Sequence, residues 1–200
     1  MKGYNYITDI ENVLVKIKAS KFIGYAYTVT NEDLIKEKIH LVQQLHPKAT
    51  HVCYAYRLGI GKDNFRMNDD GEPHGTAGKP ILGQIDSFEL SNCLVAVVRY
   101  FGGTKLGVSG LIEAYKECAK LTLQQTTILQ HTIMDYYEIK FAYENVHLVY
   151  RLIQKSNATI AQQAMDNETK FIVAIATEQS KNFEHLLTEN NLAIKFIENK

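Results

Sequence analysis

The stretch CLVAVVRYFGGTKLGVSG, from Cys93 to Gly110, contains the elements that decide the fold. Its first eight residues are almost continuously apolar, which predicts a central β-strand covered on both faces. The glycine-rich turn leads into a long helical pattern from Val108 to Gln125. We expect function at this turn, because glycine lets a ligand approach the main chain closely.

A second glycine-rich stretch, DDGEPHGTAGKP, precedes it in the chain. We call this stretch, Asp69–Pro80, the first motif, and Arg99–Gly110 the second motif. Ten of the twelve glycines fall between residues 59 and 110. In the first motif, Thr76 has the position of a helix N-cap, with Pro80 in the first turn of the helix.

Composition limits the classes of function. The 22 basic and 22 acidic residues give a net charge of zero, which argues against binding nucleic acid by bulk electrostatics. The cysteines, Cys53, Cys93 and Cys118, are odd in number and far apart, which indicates free thiols rather than disulfides or a zinc site. With no signal-peptide pattern and no membrane-spanning apolar run, we expect a cytoplasmic protein without a membrane partner or DNA specificity.

Hydrophobic periodicity predicts two α+β domains, residues 1–133 and 134–200. In the first, we expect a helix that begins after Asn31 and ends at His46, strands at 13–18, 22–29, 51–60 and 93–100, and a hairpin through 61–64. In the second, the order is β-α-β-β-α-β, as in ferredoxin-like domains. Its predicted elements are 136–142, 144–156, 158–164, 169–176, 180–189 and 193–197, with a turn at Asp166-Asn167.

The second motif suits an anion, because the first N–H groups of a helix have no internal partners and the helix dipole favours negative charge there. Thr104 and Lys105 would add a hydroxyl and a cation. The motif matches neither the Walker A loop nor the dinucleotide fingerprint, since Lys105 precedes Gly107 and Thr104 stands where a glycine is required. A tight turn that needs glycine explains the same residues, so both interpretations stay open.

Acidic residues of the first motif raise the question of a metal site. Asp69, Asp70, Glu72 and His74 have the spacing D-D-x-E-x-H, which matches no EF-hand or zinc pattern. We therefore expect an ordered surface loop and neither a metal nor a cofactor.

Two patterns hint at a nucleophile. Cys53 shares a strand face with His51, but a lone cysteine in an apolar strand is usually a small buried side chain. Ser109 resembles a nucleophile elbow that lacks its last glycine, which favours helix capping. We expect no catalytic residue at either position.

Cations and aromatic rings surround both motifs, and such a combination is typical of single-stranded nucleic acid binding. Core packing explains most strand aromatics equally well. The cations are Lys62, Arg66, Lys79, Arg99 and Lys105, and the rings are Tyr54, Tyr56, Phe65, Tyr100 and Phe101.

Both motifs closely resemble those of the IMPACT family. The resemblance rests on DDGEPHGTAGKPIL at 69–82, VVRYFGGTKLG at 97–107, SKFI at 20–23 and AYR at 55–57, and it covers essentially the whole chain. Within that family, the chain resembles the two-domain bacterial branch. The chain departs from the family at two positions, with Ser109 and Glu113 in place of a glycine and an arginine. The lost cation at 113 weakens the inference of an anion beside that helix.

The resemblance implies a fold and a function. It implies an N-terminal domain like a ribosomal small-subunit protein and the fourth domain of elongation factor G, and a ferredoxin-like C-terminal domain like that factor's fifth. Eukaryotic relatives act in translational control by binding a large regulator of a stress kinase, without catalysis.

We therefore expect a non-enzymatic binding protein linked to translation, with RNA, the ribosome or a translation-related protein as partner. The alternative is an enzyme for a phosphate ligand, a small-molecule kinase or a hydrolase, that uses the same loops. A third possibility is a protein-interaction module whose second domain offers its sheet. The residues expected to bind are Arg57, Asp70, Glu72, His74, Gly75, Thr76, Lys79, Arg99, Gly102, Gly103, Thr104, Lys105, Gly107 and Ser109.

Overall fold

A computed structural model describes residues 3–61, 63–165 and 169–199. The chain divides into two compact units, Tyr4–Gln130, and His131–Lys200 together with Met1–Gly3. We call them the N-terminal and the C-terminal unit. Over the described residues the chain forms five α-helices and three β-sheets, so the expected mixture of helices and strands is confirmed. None of these helices is long and apolar enough to cross a bilayer.

The N-terminal unit is built on a five-stranded antiparallel sheet with the strand order β2-β3-β6-β4-β5. β6 lies at its centre and is buried along nearly its whole length, as its apolar sequence predicts. The elements are β1 (Tyr4–Ile7), β2 (Ile10–Ile17), β3 (Ser20–Thr28), α1 (Glu32–Leu45), β4 (His51–Arg57), β5 (Phe65–Asn68), α2 (Gly78–Ser87), β6 (Cys93–Tyr100), α3 (Gly107–Gln124) and β7 (Ile128–His131).

Helices cover both faces of this sheet. Alternate strand residues such as Phe22, Cys53 and Val97 pack against α2 and α3 in one core, while Tyr25 and Val98 belong to a second core that includes α1. Because successive strand residues point to opposite faces, the near-continuous apolar run of β6 serves both cores.

Local signals set the ends of α1. The Asn31 side chain accepts a hydrogen bond from the Leu34 amide at 2.8 Å, which confirms the predicted N-cap. The helix ends at Leu45 and His46 is its C-cap, directly before Pro47, which cannot continue a helix. The predicted strand 51–60 is shorter, since β4 ends at Arg57.

The C-terminal unit has the predicted β-α-β-β-α-β order. Its four strands form an antiparallel sheet with the order β11-β8-β10-β9, and one core joins the sheet to α4 and α5. The predicted turn at Asp166-Asn167 lies outside the described residues. The elements are β8 (Met134–Phe141), α4 (Val146–Lys155), β9 (Thr159–Met165), β10 (Thr169–Ala176), α5 (Ser180–Glu189) and β11 (Ala193–Asn199).

The sequence analysis did not predict two short strands. β1 and β7 pair as a separate two-stranded sheet. Each has only four residues and they are more than a hundred residues apart, so neither periodicity nor a turn signal indicates them. The predicted hairpin through 61–64 connects β4 to β5, which pair in antiparallel fashion, although Lys62 lies outside the described residues.

Candidate functional site

The two motifs meet at one end of the N-terminal sheet. They enclose a pocket of about 410 Å³, which we call the loop pocket. Its wall includes the start of β4, the turn of the first motif and the loop that leads into α3. The lining residues are Thr50, His51, Glu72, Pro73, Arg99, Phe101, Lys105, Leu106, Gly107, Val108 and Leu111.

A buried ion pair forms part of the pocket wall. Arg99 Nη1 donates to Glu72 Oε1 at 2.5 Å, and both side chains are at least nine-tenths buried. The Tyr115 hydroxyl donates to the same oxygen at 2.8 Å, and His51 Nε2 lies 3.9 Å from it. Arg99 and Tyr115 therefore fix this carboxylate, because a buried charge is stable only when it is paired and hydrogen-bonded.

Arg99 also has an unsatisfied group. Its guanidinium lies over the rings of Phe22 and Phe101, with its carbon 5.6 and 5.5 Å from the ring centroids. Its Nε is buried and has no hydrogen-bond partner in the part of the chain that the structure describes. Such a group is rare in native proteins and requires an explanation.

Three main-chain amides of the first motif are already bound by the Asp69 carboxylate. Asp69 Oδ1 accepts from the Ala77 and Gly78 amides at 3.0 and 2.8 Å, and Oδ2 accepts from Gly75 at 2.8 Å. Partial burial acts to raise the pKa of this carboxyl, but these amides outweigh it and the pKa is lowered. Asp69 thus caps α2 from outside the helix.

This remote cap corrects the role expected for Thr76. The helix begins at Gly78, and the Thr76 hydroxyl donates instead to the Pro73 carbonyl at 2.7 Å. Thr76 is buried and so holds the turn that precedes the helix.

Asp70 and His51 connect the first motif to β4. Asp70 Oδ2 accepts from the Val52 amide at 2.6 Å, and the Asp70 carbonyl accepts from His51 Nδ1 at 2.6 Å. Asp70 and Gly71 have φ angles of 43° and 85°, so the backbone here takes the left-handed conformation that glycine favours. Asp70 is therefore a structural link whose carboxylate is engaged by the main chain.

The start of α3 is open, in contrast to that of α2. Its N-cap residue, Leu106, has no polar side chain, and among the described residues no side chain is seen to accept from the Gly107, Val108 or Ser109 amide. Thr104, Lys105 and Ser109 are exposed around it, and Lys105 also lines the loop pocket. The start of α3 thus brings together main-chain donors and the Lys105 cation, which supports the interpretation of the second motif as an anion site.

The glycines of the second motif have different structural roles. A Cβ on Gly102 would lie 1.9 Å from the Ala19 carbonyl oxygen, so only glycine fits against that turn. Gly103 and Gly107 have φ angles of 85° and 76° with open space around them, so backbone conformation requires glycine there. The tight-turn interpretation is therefore also correct for these residues.

Six candidates of the first motif and β4 are not among the residues that line the loop pocket, namely Arg57, Asp70, His74, Gly75, Thr76 and Lys79. His74 is 99% exposed, with Nδ1 3.8 Å from Asp69 Oδ2. Lys79 is exposed in the first turn of α2. Arg57 is at the opposite end of β4 from His51, about 20 Å away by strand geometry, and is paired with Asp86.

The remaining cations and rings divide in the same way. Arg66 and Phe65 lie on β5 near Arg57. Tyr56 is buried in the core beside α1, and Tyr54 packs against that core. Lys62 lies outside the described residues.

Cys53 has the properties of a core residue. Burial raises the pKa of its thiol to about 12, although a hydrogen bond to Tyr115 acts in the opposite direction. The thiol is thus protonated at neutral pH, and it donates to the Asp69 carbonyl at 3.0 Å. Among the described residues, no three His, Cys, Asp or Glu side chains come together as metal ligands.

Sequence reasoning missed Tyr115. Its spacing places it on the apolar side of α3, and it is fully buried there, yet its hydroxyl reaches Glu72 across 43 positions of the chain. A buried tyrosine needs a hydrogen-bond partner, which was the only signal available.

Known proteins share this architecture. Residues 18–123 match the family model described as the Impact N-terminal domain. The chain is 31% identical over 192 residues to an IMPACT family member of Haemophilus influenzae, with 92% of this chain and 91% of that protein covered. It is 29% identical over 175 residues to the IMPACT family member YvyE of Bacillus subtilis, with 88% and 81% covered.

A solved structure agrees over the same length. The crystal structure of a hypothetical protein is similar with a TM-score of 0.67 and 27% identity, and covers 99% of this chain and 98% of its own. The fold and the loop pocket thus define a two-unit protein whose helix-covered sheet carries two glycine-rich motifs at one end. The chain belongs to the IMPACT family, which confirms the resemblance seen in its motifs.

Proposed function

We propose that this protein is a non-enzymatic binding protein linked to translation, and that its loop pocket binds a phosphate group of RNA. The observation that carries the proposal is the Arg99 Nε, which has no hydrogen-bond partner among residues 3–61, 63–165 and 169–199 and belongs to a residue that is only 5% exposed and lines the pocket. A ligand oxygen would satisfy that N–H. Family membership supports the translation link, since eukaryotic relatives act in translational control.

Three kinds of donor meet at the pocket. They are the buried guanidinium of Arg99, the exposed ammonium of Lys105 and the uncapped amides at the start of α3. A phosphate has several acceptor oxygens and can engage all three, as anions do at helix N-termini. Phe101, which is 46% exposed at the rim, favours RNA over an acidic peptide because bases stack on aromatic rings.

The carboxylates of the first motif have structural partners, which disfavours the enzyme alternative. Asp69 accepts three main-chain amides, Asp70 accepts the Val52 amide, and Glu72 holds Arg99 and Tyr115. A kinase or hydrolase would need one of these groups for a magnesium ion or as a general base.

Lys105→Ala tests the proposal. We expect it to weaken binding of a fluorescently labelled single-stranded RNA and to reduce the salt slope of log K by about 0.7, the value for one phosphate contact on a single strand. Anisotropy titrations at several salt concentrations measure both quantities. Lys116→Ala is the matched control, because Lys116 is an exposed lysine more than two turns further along α3.

Equal salt slopes for Lys105→Ala and the unmodified protein would contradict phosphate binding in the loop pocket. Incubation with a panel of nucleotides adds a second arm, and turnover of any nucleotide there would favour the enzyme alternative.

A further inference from the structure

A second pocket lies on the other face of the same sheet end. It has a volume of about 440 Å³ and is lined by Ala19, Lys21, Ile23, His46, Tyr100 and Phe101. We call it the aromatic pocket. It belongs to the α1 side of the sheet, where Tyr100 and Ile23 pack against the core that includes that helix.

The two pockets share one residue, Phe101, which lines both. Successive residues of β6 point to opposite faces, so Arg99 serves the loop pocket and Tyr100 the aromatic pocket. The Phe101 amide donates to Thr50 Oγ1 at 3.0 Å, which fixes the main chain at this point. A ligand that passes around the end of the sheet would therefore contact both pockets and the Phe101 ring.

A chain of hydrogen bonds sets the polarity of the aromatic pocket. The Tyr25 hydroxyl donates to Asn12 Oδ1 at 2.5 Å, so its oxygen must accept from His46 Nε2 at 2.6 Å. Burial lowers the pKa of His46, which favours the neutral ring. In the neutral ring that donates through Nε2, Nδ1 accepts from the Tyr100 hydroxyl at 2.9 Å.

This chain leaves the Tyr100 oxygen as an acceptor. Its only hydrogen is directed to His46, and its lone pairs remain for a donor in the pocket. Lys21 pairs with Tyr100 across the strands and places a cation beside it. The pocket thus offers an aromatic wall, an acceptor and a positive charge.

We propose that the aromatic pocket binds an unstacked nucleobase with an exocyclic amino group, in single-stranded RNA whose phosphate occupies the loop pocket. This inference rests on the proposed function. The nucleobase stacks on Phe101, and its amino group donates to the Tyr100 oxygen. The Lys21 ammonium lies near the sugar-phosphate backbone of the RNA. Cytosine carries such an amino donor at the position where uracil has a carbonyl acceptor.

Oligocytidylate and oligouridylate of equal length test the inference, because their bases have the same size and differ in that group. We expect tighter binding of oligocytidylate, by about two- to tenfold for one hydrogen bond. Tyr100→Phe should abolish this preference, because it removes the oxygen that accepts from the amino group. Tyr54→Phe is the matched control, since Tyr54 lines neither pocket and its hydroxyl accepts from Asn68.

The outcomes separate this inference from the proposed function. Equal affinities for the two RNAs, or a preference for oligocytidylate that remains in Tyr100→Phe, would refute base binding in the aromatic pocket. This holds even if Lys105→Ala still weakens both complexes. If Lys105→Ala has no effect, the phosphate proposal itself fails, and the inference with it. Circular dichroism spectra of each variant confirm that the fold is retained.

Discussion

Removing the Glu72 carboxylate should destabilise the N-terminal unit strongly. Glu72→Ala leaves Arg99, whose side chain is only 7% exposed, without its ion-pair partner. Arginine stays protonated in proteins, so the buried positive charge would remain uncompensated. The Tyr115 hydroxyl, inside a fully buried residue, would lose its acceptor as well.

The expected loss in free energy of unfolding is about 3–5 kcal/mol, the usual cost of removing one partner of a buried pair. Tyr115→Phe leaves the ion pair intact and removes the hydrogen bond to the carboxylate together with a longer contact to the Cys53 thiol, so it should cost about 1.5–3 kcal/mol. The two losses should not add, because both changes break the same Glu72–Tyr115 bond. Asp33→Ala, which breaks an exposed pair with Lys36, should cost less than about 1 kcal/mol.

Urea denaturation of the full chain, followed by far-UV circular dichroism, measures these free energies. Hydrogen exchange of the β6 peptides assigns the loss to the N-terminal unit, because exchange in a central strand reports the opening of its whole unit. A cost for Glu72→Ala no larger than that for Tyr115→Phe or Asp33→Ala would refute the view that this carboxylate compensates a buried charge.

Two further changes test the motifs themselves. Asp69→Asn should cost about 1–2 kcal/mol at neutral pH. The folded-state pKa of Asp69 is lowered, so its contribution to the free energy of unfolding is present above the unfolded pKa of about 3.9 and is lost as pH falls through the folded pKa. Urea denaturation at several pH values should therefore show that the difference in free energy of unfolding between Asp69→Asn and the unmodified protein becomes smaller in acid. Gly102→Ala should cost about 1–3 kcal/mol through the clash with Ala19, whereas Gly83→Ala, at an unobstructed position of α2, should cost nothing; equal thermal stabilities would contradict this.

Local patterns predicted most of the secondary structure. The bounds of β6, β10 and α5 coincide with the sequence analysis, because each has either a continuous apolar run or a clear periodicity. The glycine-rich composition also located the loop pocket, since glycine is required there by close approach or by positive φ.

The hydrogen-bond and ion-pair partners of individual side chains could not be predicted from the sequence. Gly75 was expected to bind a ligand, but its amide donates to the Asp69 carboxylate, which accepts from amides six to nine positions further along the chain. Arg57 was predicted to bind a ligand, but it forms an ion pair with Asp86 at the far end of β4. Such pairs depend on which side chains the fold brings together, and no local period encodes that.

These pairings change what a binding site here requires. The chain has zero net charge, and two arginines are already compensated, Arg57 by Asp86 and Arg99 by Glu72. Among the described residues that line the loop pocket, Lys105 is the exposed cation. Charge attraction to a single phosphate would therefore be weak and easily screened by salt. Useful affinity then needs a second contact that salt does not screen. A base stacked on Phe101 and bound through Tyr100 would supply it, and this is why the two pockets should act as one site.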